Sequence, residues 1–202
     1  MNLPNKLTIL RILLVPVMCI IPFLGMKGTF LGVPISYLIM DIIFIIASIT
    51  DKLDGSIARS RNLITNFGKF LDPIADKILV LAAMLILVES GNLPAWIPII
   101  VLTREFVVSA YRLIAVEQGG KVIAASKWGK LKTVTQMIAI IIAFININGT
   151  NIFCNFINGG LTGIELAVNV LTSIMLIIST ITTIFSGWEY IKDGKELLFK
   201  EK

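Results

Sequence analysis

Apolar runs of bilayer length recur along this chain, and they constrain its fold more than any other feature. They fall at about 7–24, 35–59, 70–88, 95–116, 131–147 and 164–185. An α-helix needs roughly 20 apolar residues to cross a hydrocarbon core, and these runs approach that length. With 56% hydrophobic residues, the sequence is too apolar for a soluble domain of its size. Backbone groups in lipid must be satisfied within their own segment, so helices are the expected element. The expectation is an all-α integral membrane protein, one domain over residues 1–202, with six transmembrane helices.

Between the runs the sequence supplies stops and turns. Pro4 suits a helix start, and Asn5 is the expected cap. The first run has the charge order of a signal peptide, but no small-residue cleavage pattern follows and Pro16 and Pro22 lie inside it, so it is expected to be retained. Gly25 to Pro34 reads as a loop, Glu89 to Pro94 as a turn, and Gln118 to Lys130 as a basic loop. Trp188 and Tyr190 read as interfacial anchors, and the tail from Lys192 as a short surface helix. If both termini are cytoplasmic, every lysine and arginine except Lys27 falls on the cytoplasmic side. That bias sets the orientation of a multi-pass protein of the cytoplasmic membrane. The net charge of +5 flanks apolar spans. It therefore suits membrane lipids or an anionic substrate, and no nucleic acid partner is expected.

Four carboxylates stand out against this apolar background. Asp51 and Asp54 share a helix face with Ala58, at i, i+3 and i+7. Gly68, Asp72 and Asp76 share another, at i, i+4 and i+8. A polar break, Asn62 to Phe67, separates the two faces, so two antiparallel helices can bring all four acids into one pocket. Such a pocket repels itself unless it holds cations. The chain has no histidine and only two cysteines, far apart, so zinc is a poor fit and oxygen-liganded magnesium, manganese or calcium a better one. At ~1.5 Å rise per residue the paired acids are about 4.5 and 6 Å apart along their helices, which suits two metals. Gly55 and Ala58 leave room for a ligand, or for close helix packing.

Two further cations are hard to assign to topology alone. Arg104 and Arg112 lie inside the fourth run, eight residues apart and roughly on one side of a helix. With the lysines near residue 130 they can hold a phosphate. Metal-bridged phosphate oxygens, a carboxylate able to take a proton and a cytosol-facing site at headgroup level together point to phosphoryl chemistry on a lipid.

The run Asp51-x2-Asp54-Gly55-x2-Ala58-Arg59-x8-Gly68-x3-Asp72-x3-Asp76 resembles the signature of the CDP-alcohol phosphotransferases at every fixed position. Asn5 to Arg11, Asp72 to Lys77, Arg104 to Arg112 and Lys130 to Gln136 are similar to the branch of that family that uses glycerol 3-phosphate. The resemblance implies a six-helix membrane enzyme, a homodimer, with a two-metal site for Mg2+ or Mn2+. It implies transfer of the phosphatidyl group of CDP-diacylglycerol to sn-glycerol 3-phosphate, with release of CMP. It further implies that Asp51, Asp54, Asp72 and Asp76 hold the metals and that Asp76 is also the catalytic base. Asn5, Thr8, Gly55, Ala58, Arg59 and Gly68 would meet the CDP-lipid, and Arg104, Arg112, Lys130 and Lys132 the acceptor phosphate. Lys130 and Lys132 read equally well as topology charges. Two alternatives stay open from the sequence. One is the same chemistry on phosphatidylglycerol, inositol phosphate or serine. The other is a small cation transporter, against which stands the placement of the acids near one face, away from the midplane.

Overall fold

The computed structural model describes residues 2–60, 66–117, 127–145 and 163–198, with side chains described for residues 2, 5–51, 68, 71–114, 127–145 and 163–192. Six helices order the described chain: α1 Leu3–Ile20, α2 Ile35–Ser60, α3 Asn66–Glu89, α4 Trp96–Glu117, α5 Lys127–Ile145 and α6 Gly163–Leu198. Each covers most of one of the expected apolar runs, but several ends differ.

The cap of α1 is Asn2, in extended geometry, and not Asn5. Pro4 explains the shift. It lacks an N–H and belongs in the first turn, where none is needed, so the helix starts upstream of it. Asn5 is then inside the helix and buried. At the other end α1 tightens into a 3-10 turn, Ile21–Leu24, which Gly25 closes in the left-handed region at φ 58°. The segment read as a loop holds a small hairpin, Thr29–Phe30 against Val33–Pro34. Leu31 and Gly32 both adopt positive φ at its tip, as a type I′ turn demands. Strands of two residues are too short to leave an alternating pattern. The turn after α3 behaves as expected. Asn92 N–H reaches the Leu87 carbonyl (2.8 Å) and Gly91 N–H that of Val88 (3.0 Å), so the last orphan carbonyls are satisfied.

Helix α1 packs against both α2 and α3, while α5 and α6 run along each other and α6 also meets α4. Small residues such as Ala47, Ala83, Ala139 and Ala143 are fully buried where helices meet, and Phe144 takes the rings of Phe44 and Tyr37 at 6.5 and 6.4 Å. Close approach through small side chains is the usual means of helix association in lipid, where burial of apolar surface gives little. Asp41, given no role in the sequence, is buried on α2 at 5% exposure. Among the described residues three helices are long and apolar enough to cross a membrane, in the stretches Asn5–Leu24, Lys127–Ile145 and Gly163–Lys192. In α3 and α4 the apolar stretch is interrupted by Asp72, Asp76 and Lys77, and by Arg104, Glu105 and Arg112.

Helix α6 departs furthest from expectation. It does not end near Phe185 with a separate tail helix, but runs unbroken for 36 residues. That is about 54 Å, well beyond a hydrocarbon core. One face presents Ile174, Ile177, Ile181 and Ile184 outward, and the other buries Asn169, Thr172, Ser179, Thr183 and Ser186. Its overrun carries Tyr190 inward. Tyr190 is 2% exposed and is not an interfacial anchor, whereas Trp188 is 62% exposed.

Candidate active site

The site is assembled from the α1 side first. Thr8 and Arg11 are three residues apart and so share a face of α1. The Thr8 hydroxyl donates to Asp72 Oδ1 on α3 at 2.6 Å. Arg11 Nη1 lies 2.8 Å from Asp51 Oδ1 on α2, with no exposed side-chain surface at all. Helix α1 thus fits between the two acidic helices and ties one carboxylate of each. Thr8 was expected on the CDP-lipid, and here it orients Asp72. Arg11 was given no role, although a lone arginine in an apolar run was a signal for one.

Asp76, one turn beyond Asp72, lies within electrostatic reach of Asp51 and Arg11 on one side and of Lys132 and Glu105 on the other. It therefore joins the α1 side of the site to a second group of charges. The side chains of Asp54, Gly55, Ala58 and Arg59 lie outside the described residues. Gly68 is buried in the first turn of α3. Among the described residues no three acids or cysteines gather closely enough to hold a metal. The donors present are nonetheless of the right kind, since carboxylate oxygens suit magnesium or manganese. Thr8 meets Oδ1 of Asp72 and Arg11 meets Oδ1 of Asp51.

The second group lines a cavity of about 430 Å³ between α3, α4, α5 and α6. That is within the usual size of small-ligand sites. Asp76 and Lys77 come from α3, Arg104, Glu105 and Arg112 from α4, Lys130, Lys132 and Gln136 from α5, and Tyr190 from α6. Five cationic side chains thus face two carboxylates, so the cavity favours an anion. Apolar wall is supplied by Val80, Met84, Val101 and Met137.

Glu105 organises the cations. Its Oε1 accepts from Lys132 Nζ at 2.8 Å and from Arg104 Nη1 at 2.9 Å. Lys77 lies 3.8 Å from Oε2 and donates to the Ser109 hydroxyl at 2.6 Å. Lys132 is buried, so removing it from water is offset by this pairing. The arginines also lean on α6. Arg104 Nη2 donates to the Ser186 hydroxyl, and Arg112 Nη2 donates to the Tyr190 hydroxyl at 2.7 Å. The sequence reading singled out the four expected cations, and the structure brings all of them to one cavity with Asp76. It gave no role in the site to Glu105, Ser186 or Tyr190. A signal for the last two existed, because Ser179, Thr183, Ser186 and Tyr190 recur at three- and four-residue spacing among isoleucines.

Comparison with known proteins places this chain in a class. The family description CDP-alcohol phosphatidyltransferase matches residues 1–185. The chain belongs to that family. It is 40% identical over 202 residues, covering 98% of this chain and 97% of the other, to the CDP-diacylglycerol--glycerol-3-phosphate 3-phosphatidyltransferase of Bacillus subtilis strain 168. It is 35% identical to the protein of that name in Rickettsia bellii, over 96% of each chain. It is 40% identical over 148 residues to the probable phosphatidylglycerophosphate synthase of Mycobacterium tuberculosis, covering 73% of this chain and 68% of the other.

Proposed function

We propose that the chain transfers the phosphatidyl group of CDP-diacylglycerol to sn-glycerol 3-phosphate, giving phosphatidylglycerophosphate and CMP. The observation that carries this reading is the single cavity with Asp76 at one side and Arg104, Arg112, Lys130 and Lys132 around it. A neutral acceptor such as glycerol would have no use for so many cations. Glycerol 3-phosphate offers a dianion for the arginines and a hydroxyl for Asp76.

In this reading the arginine forks hold the acceptor phosphate by charge-assisted hydrogen bonds. The free primary hydroxyl then faces Asp76, which takes its proton as that oxygen bonds to the lipid phosphorus. The bond from that phosphorus to the bridging oxygen breaks, and CMP leaves with the oxygen. Asp51, Asp54, Asp72 and Asp76 would hold magnesium or manganese, which when bound would draw charge off the diphosphate. Thr8 and Arg11 keep Asp72 and Asp51 turned toward the site. On the family resemblance, Asn5, Gly55, Ala58, Arg59 and Gly68 would meet the CDP moiety.

The same reading places six spans across the cytoplasmic membrane as one domain over residues 1–202. Both termini and the cavity then face the cytoplasm. The distribution of lysine and arginine supports that orientation. The working form is a homodimer, on the family resemblance.

An acceptor panel tests the activity. Purified protein with radiolabelled CDP-diacylglycerol is expected to release CMP with glycerol 3-phosphate, and to release little with glycerol, serine, inositol phosphate or phosphatidylglycerol. Release with one of those and not with glycerol 3-phosphate would remove the acceptor assignment.

A further inference from the structure

On the α6 side, the groups described against the arginines of the cavity are an aromatic ring and two hydroxyls. Tyr190 presents one ring to both of them, 5.7 Å from the Arg104 guanidinium carbon and 5.4 Å from that of Arg112. Its hydroxyl accepts from Arg112 at 2.7 Å. One turn earlier the Ser186 hydroxyl accepts from Arg104. Between them Gly187 gives the Arg104 stem its place, since a methyl at that position would sit 3.2 Å from Arg104 Cγ. All three residues are buried, on the stretch of α6 beyond the expected end of the span.

The chemistry of these supports matters. Glu105 already pairs with Arg104 on the cavity side, and a second carboxylate on α6 would compete with an incoming anion. An aromatic face and a hydroxyl orient a guanidinium group without placing a further negative charge beside it. Two like charges against one ring also need such a brace to stay close together. We propose that Ser186, Gly187 and Tyr190 are positioning residues that set Arg104 and Arg112 for a phosphate monoester. They thereby select a phosphorylated acceptor over the corresponding neutral alcohol. This inference rests on the acceptor reading of the cavity given above.

The test is steady-state CMP release by the purified protein, with glycerol 3-phosphate and CDP-diacylglycerol varied separately. Tyr190→Leu is expected to raise KM for glycerol 3-phosphate about tenfold, and Tyr190→Phe, which keeps the ring, about threefold. Gly187→Ala is expected to raise it as well, by displacing the Arg104 stem. KM for CDP-diacylglycerol stays within about twofold in all three, because a local change at the arginines leaves the other substrate's contacts in place. The preference for glycerol 3-phosphate over glycerol falls in the same order. An unchanged KM for glycerol 3-phosphate in Tyr190→Leu, or an equal rise in both KM values, overturns the proposal. Arg112→Ala separates the two levels of the reading. If it raises KM for glycerol 3-phosphate and the α6 variants do not, the positioning role falls and the acceptor site stands. If neither does, the acceptor site itself falls. Should Tyr190→Leu fail to fold, Tyr190→Phe and Gly187→Ala decide the matter, and unchanged values in both overturn it.

Discussion

Asp76→Asn is expected to cut CMP release by about 10²- to 10⁴-fold while CDP-diacylglycerol still binds. The exchange keeps the size and shape of the side chain and removes its ability to take a proton. Asp76 is the one described carboxylate that both lines the cavity and lies within reach of the Asp51–Arg11 pair. It is therefore where the acceptor hydroxyl and the lipid diphosphate can meet. Single-turnover release of labelled CMP, compared with equilibrium binding of CDP-diacylglycerol, reads the two effects separately. Near-normal turnover in Asp76→Asn would remove the base assignment. Loss of binding in proportion to activity would make Asp76 a ligand holder only.

Glu105→Ala is expected to act mainly on stability. It leaves Lys132, at 8% side-chain exposure, and Arg104, at 12%, without the carboxylate they share. Stranding a buried cation typically costs about 3 kcal/mol or more. Thermal unfolding in detergent should show a clear loss relative to the unaltered protein. Adding Lys132→Met should restore much of it, since replacing a buried pair by apolar groups is often close to neutral. The double variant should nonetheless stay impaired toward glycerol 3-phosphate, because a cation of the cavity is gone. An unaltered unfolding temperature in Glu105→Ala would show that water, and not Glu105, satisfies Lys132.

Different physical signals made different parts of the molecule legible. The helices could be read because lipid leaves the backbone few choices and the apolar runs mark their lengths. The acids could be read because their spacing puts them on helix faces, and Arg104 and Arg112 because a charge within an apolar run is conspicuous. Helix ends were less legible. The residues after Trp188 mix charges as a solvated tail does, yet Glu, Lys and Leu are all good helix formers, and α6 continues through them. Helix α5 begins at Lys127, earlier than expected, with Lys127 and Lys130 in its first turns. Tyr190 was misread for a related reason, because an aromatic residue just past an apolar run usually marks the interface.

Neighbourhood between helices was legible only where charges called for a shared pocket. Glu105 draws partners from α3, α4 and α5, and no periodicity within α4 reveals them. In the same way nothing in residues 3–20 says that α1 lies between α2 and α3. Once it does, Thr8 and Arg11 become the supports of Asp72 and Asp51.

The claim underlying this account is that the acceptor phosphate binds among Arg104, Arg112, Lys130 and Lys132, beside Asp76. Calorimetric titration of glycerol 3-phosphate into the Asp76→Asn protein loaded with CDP-diacylglycerol measures it most directly, because turnover no longer interferes. Binding is expected in Asp76→Asn alone. It is expected to weaken at least about tenfold on adding Arg112→Ala or Arg104→Ala, each of which removes a charge-assisted contact. Glycerol 3-phosphate that binds equally well without either arginine would contradict the account.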